Sequence, residues 1–392
     1  MEQSEALKLW NQGSVHWNNW LDNQPPTLQF INITIKDYNF QDFTFSSFNL
    51  NINLTIKNCT FENDFPFENV TKVGKLTFTD CETLPNLRFN CSEFGSMLIQ
   101  KCKSATSIEI YGSKVSGTIY IEDLNIKGKL AIQNCDCKKE NERLPRFQGY
   151  NIRVKGDTCF DDLNIDLDFH LSHSEFHDTF LARRSTFGSS MFTNCKFLGY
   201  TDFTDTIFIR PPRFDGAKLH QHTVFPKEEN FHITKQKNYI DEDIAAFGTL
   251  KSIASNSLNR RQQGMFFALE QKYLRTYNKL NGFDRFISKV YEIISNYGRS
   301  LGRPLLWLFG FFFFFFFIYA ILQSPILDMS LTIDNKILIS AAKLSWTNTV
   351  IPLKSISYDS IPLMIISTIQ SVLSLVLIAL FLLALRWEFK RD

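Results

Sequence analysis

The chain has no Cys-x-x-Cys pair and no zinc-like spacing, although it carries eight cysteines: Cys59, Cys81, Cys91, Cys102, Cys135, Cys137, Cys159 and Cys195. Scattered singly, they read as small buried free thiols, which suits a reducing compartment. Charge of one sign is also missing, since 42 Lys and Arg stand against 40 Asp and Glu. A single electrostatic role for the whole molecule is thereby excluded. The opening MEQSEALKLWNQG has no basic segment leading into an apolar one, so no secretory leader is expected. The residues before about 300 are accordingly expected in the cytoplasm. No phosphate-binding glycine loop, nucleophile elbow or dinucleotide fingerprint occurs. No enzyme activity, catalytic residue or cofactor is expected.

What the chain has in abundance is phenylalanine, 39 in all. In SEFHDTFLARRSTFGSSMFTNCKFLGYTDFTDTIFIRPPRFDGAKL, Phe187, Phe192, Phe197, Phe203, Phe208, Phe214 and Leu219 follow one another at intervals of five or six. Phe176 precedes Phe187 by eleven, two coil sides earlier. Neither the helical nor the strand period fits. A five-residue beat suits a chain that turns a corner after every short strand and points one large residue inward per side. Four sides make a coil of roughly 20 to 22 residues, and coils stack through parallel ladders. The residue two before each second large one is small (Ser174, Ser185, Cys195, Thr206, Ala217), as an inward position beside stacked rings requires.

These repeats resemble pentapeptide-repeat proteins, and NQGSVHWNNWLDNQPPTLQFINITI is similar to the Trp-containing lead-in that precedes such repeats in bacterial members. The resemblance implies an all-β right-handed β-helix solenoid over residues 28–231, behind a helical, Trp-rich cap at 1–27. It is specific around 174–219 and fades between about 64 and 157, where an irregular β-helix with longer coils is expected. Some members mimic DNA through an acidic surface. Here residues 28–230 hold 26 acidic and 23 basic side chains, too even for that, and nucleic acid is not an expected partner.

After residue 231 the period becomes helical. Met265, Leu269, Tyr273 and Tyr277 fall four apart, and Ile287, Val290, Tyr291, Ile294 and Tyr297 share a second stripe. Within 251–303 there are ten Lys or Arg against three Asp or Glu. Residues 232–303 are therefore read as basic amphipathic juxtamembrane helices drawn to anionic lipid.

Residues 304–322, including the row GFFFFFFFIYAIL, and residues 361–385 contain no charge, and about 20 helical residues cross a hydrocarbon core. They are read as two transmembrane helices, a hairpin. Arg299 and Arg303 flank the first; Arg386, Lys390 and Arg391 flank the second. Cations at both outer ends place both chain ends, and the short tail 386–392, in the cytoplasm of a bacterial inner membrane. The loop 323–360 then faces outside, and its stretch ILISAAKLSWTNTVIPL, at 337–353, is apolar enough to dip back into the membrane. Ser367, Gln370, Ser371 and Ser374 fall at i, i+3, i+4 and i+7, a polar stripe that either bonds to another helix or lines a water-filled pore. This order of parts resembles bacterial pentapeptide-repeat membrane proteins with an ion-channel-like end. The resemblance implies a homo-oligomeric membrane effector, with phage defence as one use, whose solenoid binds an unknown protein; a non-conducting tether is the alternative. A TVGYG-type potassium filter is missing: residues 347–352 read TNTVIP.

Two clusters combine residue types that can carry chemistry. His170, His173 and His177, with His220 and His222, fall on different coil sides, so no metal site is expected. Asp161, Asp162, Asp166, Asp168 and Glu175 read as outward-facing strand positions rather than a carboxylate pair for glycoside hydrolysis.

Overall fold

A computed structural model of the chain describes all residues except 25–30, 42, 65–66, 68, 138–144, 164–166, 234–238, 325–334, 353–359 and 390–392. The chain divides into two compact units, Met1–Ser257 and Leu258–Asp392.

The first unit is a β-solenoid of about eight turns. Its strand pairs are all parallel, and one face carries a continuous sheet from Asn32–Lys36 through Asn49–Lys57, Lys72–Thr79, Glu93–Gln100, Thr118–Glu122, Arg146–Tyr150, Leu167–Ser172 and Thr186–Thr193 to Ile207–Phe208. Most partners in adjacent coils lie 21 or 22 residues apart, as Asn32 does from Asn53 and Arg153 from Glu175, with shifts of one residue at irregularities such as Asn49 with Lys72. One coil departs from this: Ile119 pairs with Phe147, and the matching corner residues Asp123 and Asn151 are 28 apart.

Identical spacing puts like on like. Phe192 stacks on Phe214 at 4.6 Å, Phe147 on Phe169 at 5.1 Å, Phe176 on Phe197 at 5.2 Å and Phe187 on Phe208 at 5.9 Å. These distances bracket the spacing of hydrogen-bonded strands, so backbone pairing and ring stacking reinforce one another. Phe176, Phe187, Phe192, Phe197, Phe203, Phe208 and Phe214 are all buried. Leu219, expected in the same core, is only half-buried. Past Phe208 the ladder thins to single bridges such as Lys196 with Lys218, and the beat outlasts the regular strands that would close over Leu219.

The corners explain the small residues. Asp37, Asn58, Asp80, Lys101, Asp123, Asn151, His173 and Asn194 all have positive φ, and Gly216 continues the column. Asn and Asp tolerate this conformation better than most side chains. They also bond along the column: Asn58 Nδ2 donates to Asp37 Oδ1 at 2.5 Å and Asn151 Nδ2 to Asp123 Oδ1 at 2.7 Å. The next residue points inward, which buries Cys59, Cys81, Cys102, Ser174 and Cys195 in one column. Among the described residues seven cysteines are free and buried.

The middle meets the expectation only in part. The longer coil expected there occurs once, between Ile119 and Phe147; ahead of it the coils keep the usual length and what changes is the shape: Lys72–Thr79, Thr83–Phe89, Glu93–Gln100 and Ser104–Tyr111 are strands of seven or eight residues. Two long strands with alternating burial replace four short sides, so period two replaces period five. A glycine column lets these strands pack: a Cβ on Gly95 would lie 2.2 Å from the Gly74 carbonyl oxygen, and one on Gly117 2.7 Å from that of Gly95.

Both ends are covered, which removes exposed edges. Helices α1 (Gln3–Trp10) and α2 (Ser14–Asp22) seat Trp10 edge-on to Phe45 at 5.0 Å, and Trp17 Nε1 donates to the Asn49 carbonyl at 2.7 Å. At the other end α3 (Ile240–Asn256) packs Phe247 against Phe231, and Arg210 bonds the buried Asp243 at 2.8 Å. This helix lies in the segment read from sequence as juxtamembrane. Its buried face, Ala246, Phe247, Leu250 and Ala254, belongs instead to the solenoid unit.

The second unit comprises α4 (Arg260–Thr276), α5 (Gly282–Ser295), α6 (Gly302–Gln323), α7 (Asn335–Val350) and α8 (Ile361–Phe389). Two helices, Gly302–Gln323 and Ile361–Arg386, are long and apolar enough to cross a membrane, each with mean hydropathy 2.5. Only 17% and 28% of their most apolar stretches are buried, whereas a soluble core helix of this composition is mostly covered. The segment between them, read as a loop, contains the sixteen-residue α7.

Candidate functional site

The polar stripe of α8 meets two other helices. Ser367, Gln370 and Ser374 are fully enclosed and Ser371 nearly so. Gln370 uses its whole amide: Oε1 accepts from Tyr319 of α6 at 2.7 Å, while Nε2 lies 3.0 Å from Ser345 Oγ, 3.0 Å from Thr349 Oγ1 and 3.1 Å from the Ser345 carbonyl of α7. Asn348 Nδ2 donates to Ser367 Oγ at 2.7 Å and to Tyr319 Oη at 3.2 Å. Ser345 Oγ in turn donates to the Phe312 carbonyl of α6 at 2.8 Å. Around this centre Phe315, Tyr319, Ala320 and Ala341 form the apolar packing.

The contacts fix the path of α7. Ala341 packs in the cluster of Phe315, Tyr319 and Ala320, and four residues later Ser345 reaches Phe312, so α7 runs back along α6. Its Asn348 and Thr349, within the TNTVIP stretch that stands in place of a filter sequence, are helical and consumed by the network. Each such bond contributes modestly, about 0.6 kcal/mol between apolar helices, but a buried amide without partners costs about 1–3 kcal/mol. The network therefore selects one mutual register of three helices. Ser374 Oγ, one turn beyond, is buried with no hydrogen-bond partner.

One face of α7 stays outward: Ser340 and Lys343 are exposed and Thr347 half-exposed, at i, i+3 and i+7. Lys343 sits on the side of α7 opposite Ala341 and Ser345, at the level of the apolar run of α6. Sequence reading found the stripe on α8 and missed its partners. The signal was present in Ser345, Asn348 and Thr349, which repeat the i, i+3, i+4 spacing of Ser367, Gln370 and Ser371.

The other expected sites are placed as follows. Arg299 bonds the Asn296 carbonyl and side chain; Arg303 Nη1 donates to the Glu292 carbonyl at 2.9 Å. Arg386 is exposed and shares a groove with Arg260, Gln263 and Leu383. Lys390 and Arg391 lie outside the described residues. Of the acidic run, Asp161 is not outward but buried, accepting from the Arg183 backbone at 2.8 Å and its guanidinium at 2.6 Å. It faces an arginine one coil on, and that pairing is what allows the carboxylate inside. Asp162 pairs with Arg184, Asp168 with Arg146, and Glu175 with both Lys196 and Arg153. Asp166 lies outside the described residues. His170 is half-buried, which lowers its pKa, while His173 and His177 are exposed. No group of three or more metal-ligating side chains converges among the described residues.

Compared with known proteins, the chain matches no family model, no curated protein and no solved structure.

Proposed function

We propose that this chain is a pore-forming membrane effector of the pentapeptide-repeat kind, acting as a homo-oligomer in a bacterial inner membrane. The solenoid and both chain ends lie in the cytoplasm, α6 and α8 cross the bilayer, and α7 re-enters it from the outer side. The solenoid binds the protein partner that triggers or localises the pore. The observation that carries this reading is α7 itself, a helix with Ser345, Asn348 and Thr349 buried between two membrane-length helices and Lys343 on its outer face. An anchor has no use for such an element, and a lysine in hydrocarbon costs about 2.5–3.5 kcal/mol on insertion scales. Water inside a ring of subunits removes that cost. The lumen is then lined by Ser340, Lys343 and Thr347 rather than by the α8 stripe, whose hydrogen bonds are made inside one chain. Two spans and a short helix cannot close a channel alone, so several copies are needed.

The self-sufficiency of that internal network supports a second reading, a monomeric tether that holds the solenoid at the membrane. Full-length protein reconstituted in liposomes separates the two. Conductance together with an oligomeric mass in detergent upholds the pore; a monomer without conductance upholds the tether and ends the pore reading.

A further inference from the structure

Of α3, α4 and α5, the helices that lead into the first long apolar one, α5 alone leaves an apolar face uncovered. Phe283 is 70% exposed, Phe286 65%, Ile287 47% and Ile293 46%. At 3.6 residues per turn these side chains fall on one face of α5. The opposite face is locked to α4: Arg275 donates to the Ser288 carbonyl at 2.9 Å and to Glu292 Oε2 at 2.7 Å, and Ser288 Oγ bonds Gln271 at 3.2 Å. Neither α3, whose apolar face covers the solenoid end, nor α4, which buries Met265, Phe266, Leu269 and Tyr273, presents anything comparable. The sequence reading of a uniformly membrane-seeking basic segment thus narrows to one helix.

We infer that α5 is an interfacial helix that sinks the face of Phe283, Phe286, Ile287 and Ile293 into the lipid leaflet from which α6 departs. Three observations select lipid as the occupant. First, the end of α5 abuts the membrane-length helix: Arg303 at the start of α6 bonds the Glu292 carbonyl of α5. Second, the turn between them is fixed. Asn296, Tyr297 and Gly298 all have positive φ, Gly298 N donates to Ser295 Oγ at 3.0 Å, and the Tyr297 hydroxyl accepts from Arg275. A bulky residue such as Tyr297 adopts that conformation only where its surroundings impose it, so α5 is held at a set angle to α6 rather than hinged. Third, cations gather at the same end. The Arg299 stem lies over Gly264, and Arg260 and Arg386 line a groove of about 270 Å³ with Leu383, which itself lies beside Gly298. An apolar face with guanidinium groups gathered at the end from which α6 departs matches acyl chains beneath phosphate headgroups. This inference rests on the membrane reading above but not on the pore.

Photo-crosslinking tests it in the full-length chain, reconstituted in vesicles of phosphatidylethanolamine and phosphatidylglycerol. Benzoylphenylalanine replaces Phe286, and in a separate chain Arg285, which lies off the apolar face. Severalfold more lipid adduct from position 286 than from 285 is the expected result. Equal yields, no lipid adduct, or crosslinked dimers of the chain from 286 would overturn it. As a second measurement, Phe283→Gln with Phe286→Gln, both at exposed positions, should speed tryptic cleavage at Arg285 and Lys289 severalfold in the vesicles; an unchanged rate counts against insertion. Extraction of the unsubstituted protein by alkaline carbonate would instead remove the membrane reading itself, and this inference with it.

Discussion

The Tyr319 hydroxyl donates to Gln370 Oε1 across the α6–α8 contact at 2.7 Å, and the other end of the same amide holds Ser345 and Thr349 of α7. One side chain thus ties three helices. Gln370→Leu should destabilise the helical unit by about 1–3 kcal/mol, because Tyr319, Ser345 and Thr349 lose a partner in a dry setting. Tyr319→Phe should cost less. The double substitution should cost less than the sum of the singles, since the two groups share one bond. Unfolding in detergent, followed by helicity, reads all three; strict additivity would show that the contact contributes nothing.

If α7 lines a lumen, Lys343 sets its charge. Reconstituted protein under a KCl gradient should then show a reversal potential favouring chloride, and Lys343→Glu should invert its sign. An unchanged sign would take Lys343 out of the lumen.

Core depth separates two members of one sequence series. Phe192, buried and stacked 4.6 Å from Phe214, should cost about 3–5 kcal/mol as Phe192→Ala. Half-buried Leu219 should cost less than the 2–5 kcal/mol of an enclosed leucine. Thermal unfolding of the two variants checks the order.

The corner column makes a conformational prediction. Asn194, at φ 54°, should lose about 1–2 kcal/mol as Asn194→Ala, whereas Asn194→Gly should be close to neutral. Equal losses would shift the weight to its side-chain contact with His173.

Lys196 and Arg153 hold the Glu175 carboxyl below the usual glutamate range. A carboxyl lowered in the folded state stabilises it above its unfolded pKa, near 4.3, and loses that contribution as pH falls through the lower folded value. The pairs are partly exposed, so the effect should stay within about 1 kcal/mol. Chemical denaturation of wild type and Glu175→Gln between pH 7 and pH 3 should show the difference narrowing with acid.

The coil and its phenylalanine beat were readable because one inward residue per side leaves a direct trace in spacing. Between Lys72 and Tyr111 the trace vanished, since long strands replace short sides and alternation alone does not reveal where a coil closes. The coil length there is carried by the corner series Asp80, Lys101 and Asp123 and by the column Gly74, Gly95 and Gly117, both plain only once the coils are aligned. Helix α3 was merged with its basic neighbours because charge was summed across a boundary that packing draws at Ser257. For the site, the α8 stripe was legible as polarity in an apolar run. Its partners on α7 were not: the apolar character of 337–353 was legible, but nothing except matching spacing ties Ser345, Asn348 and Thr349 within it to the stripe.

The parallel ladders carry a mechanical corollary. Tension applied along the stacking axis passes in full through every coil-to-coil interface in turn, and each must bear it with its own hydrogen bonds alone. Such a stack peels open layer by layer, and its resistance to pulling is set by one interface at a time, however many layers are added.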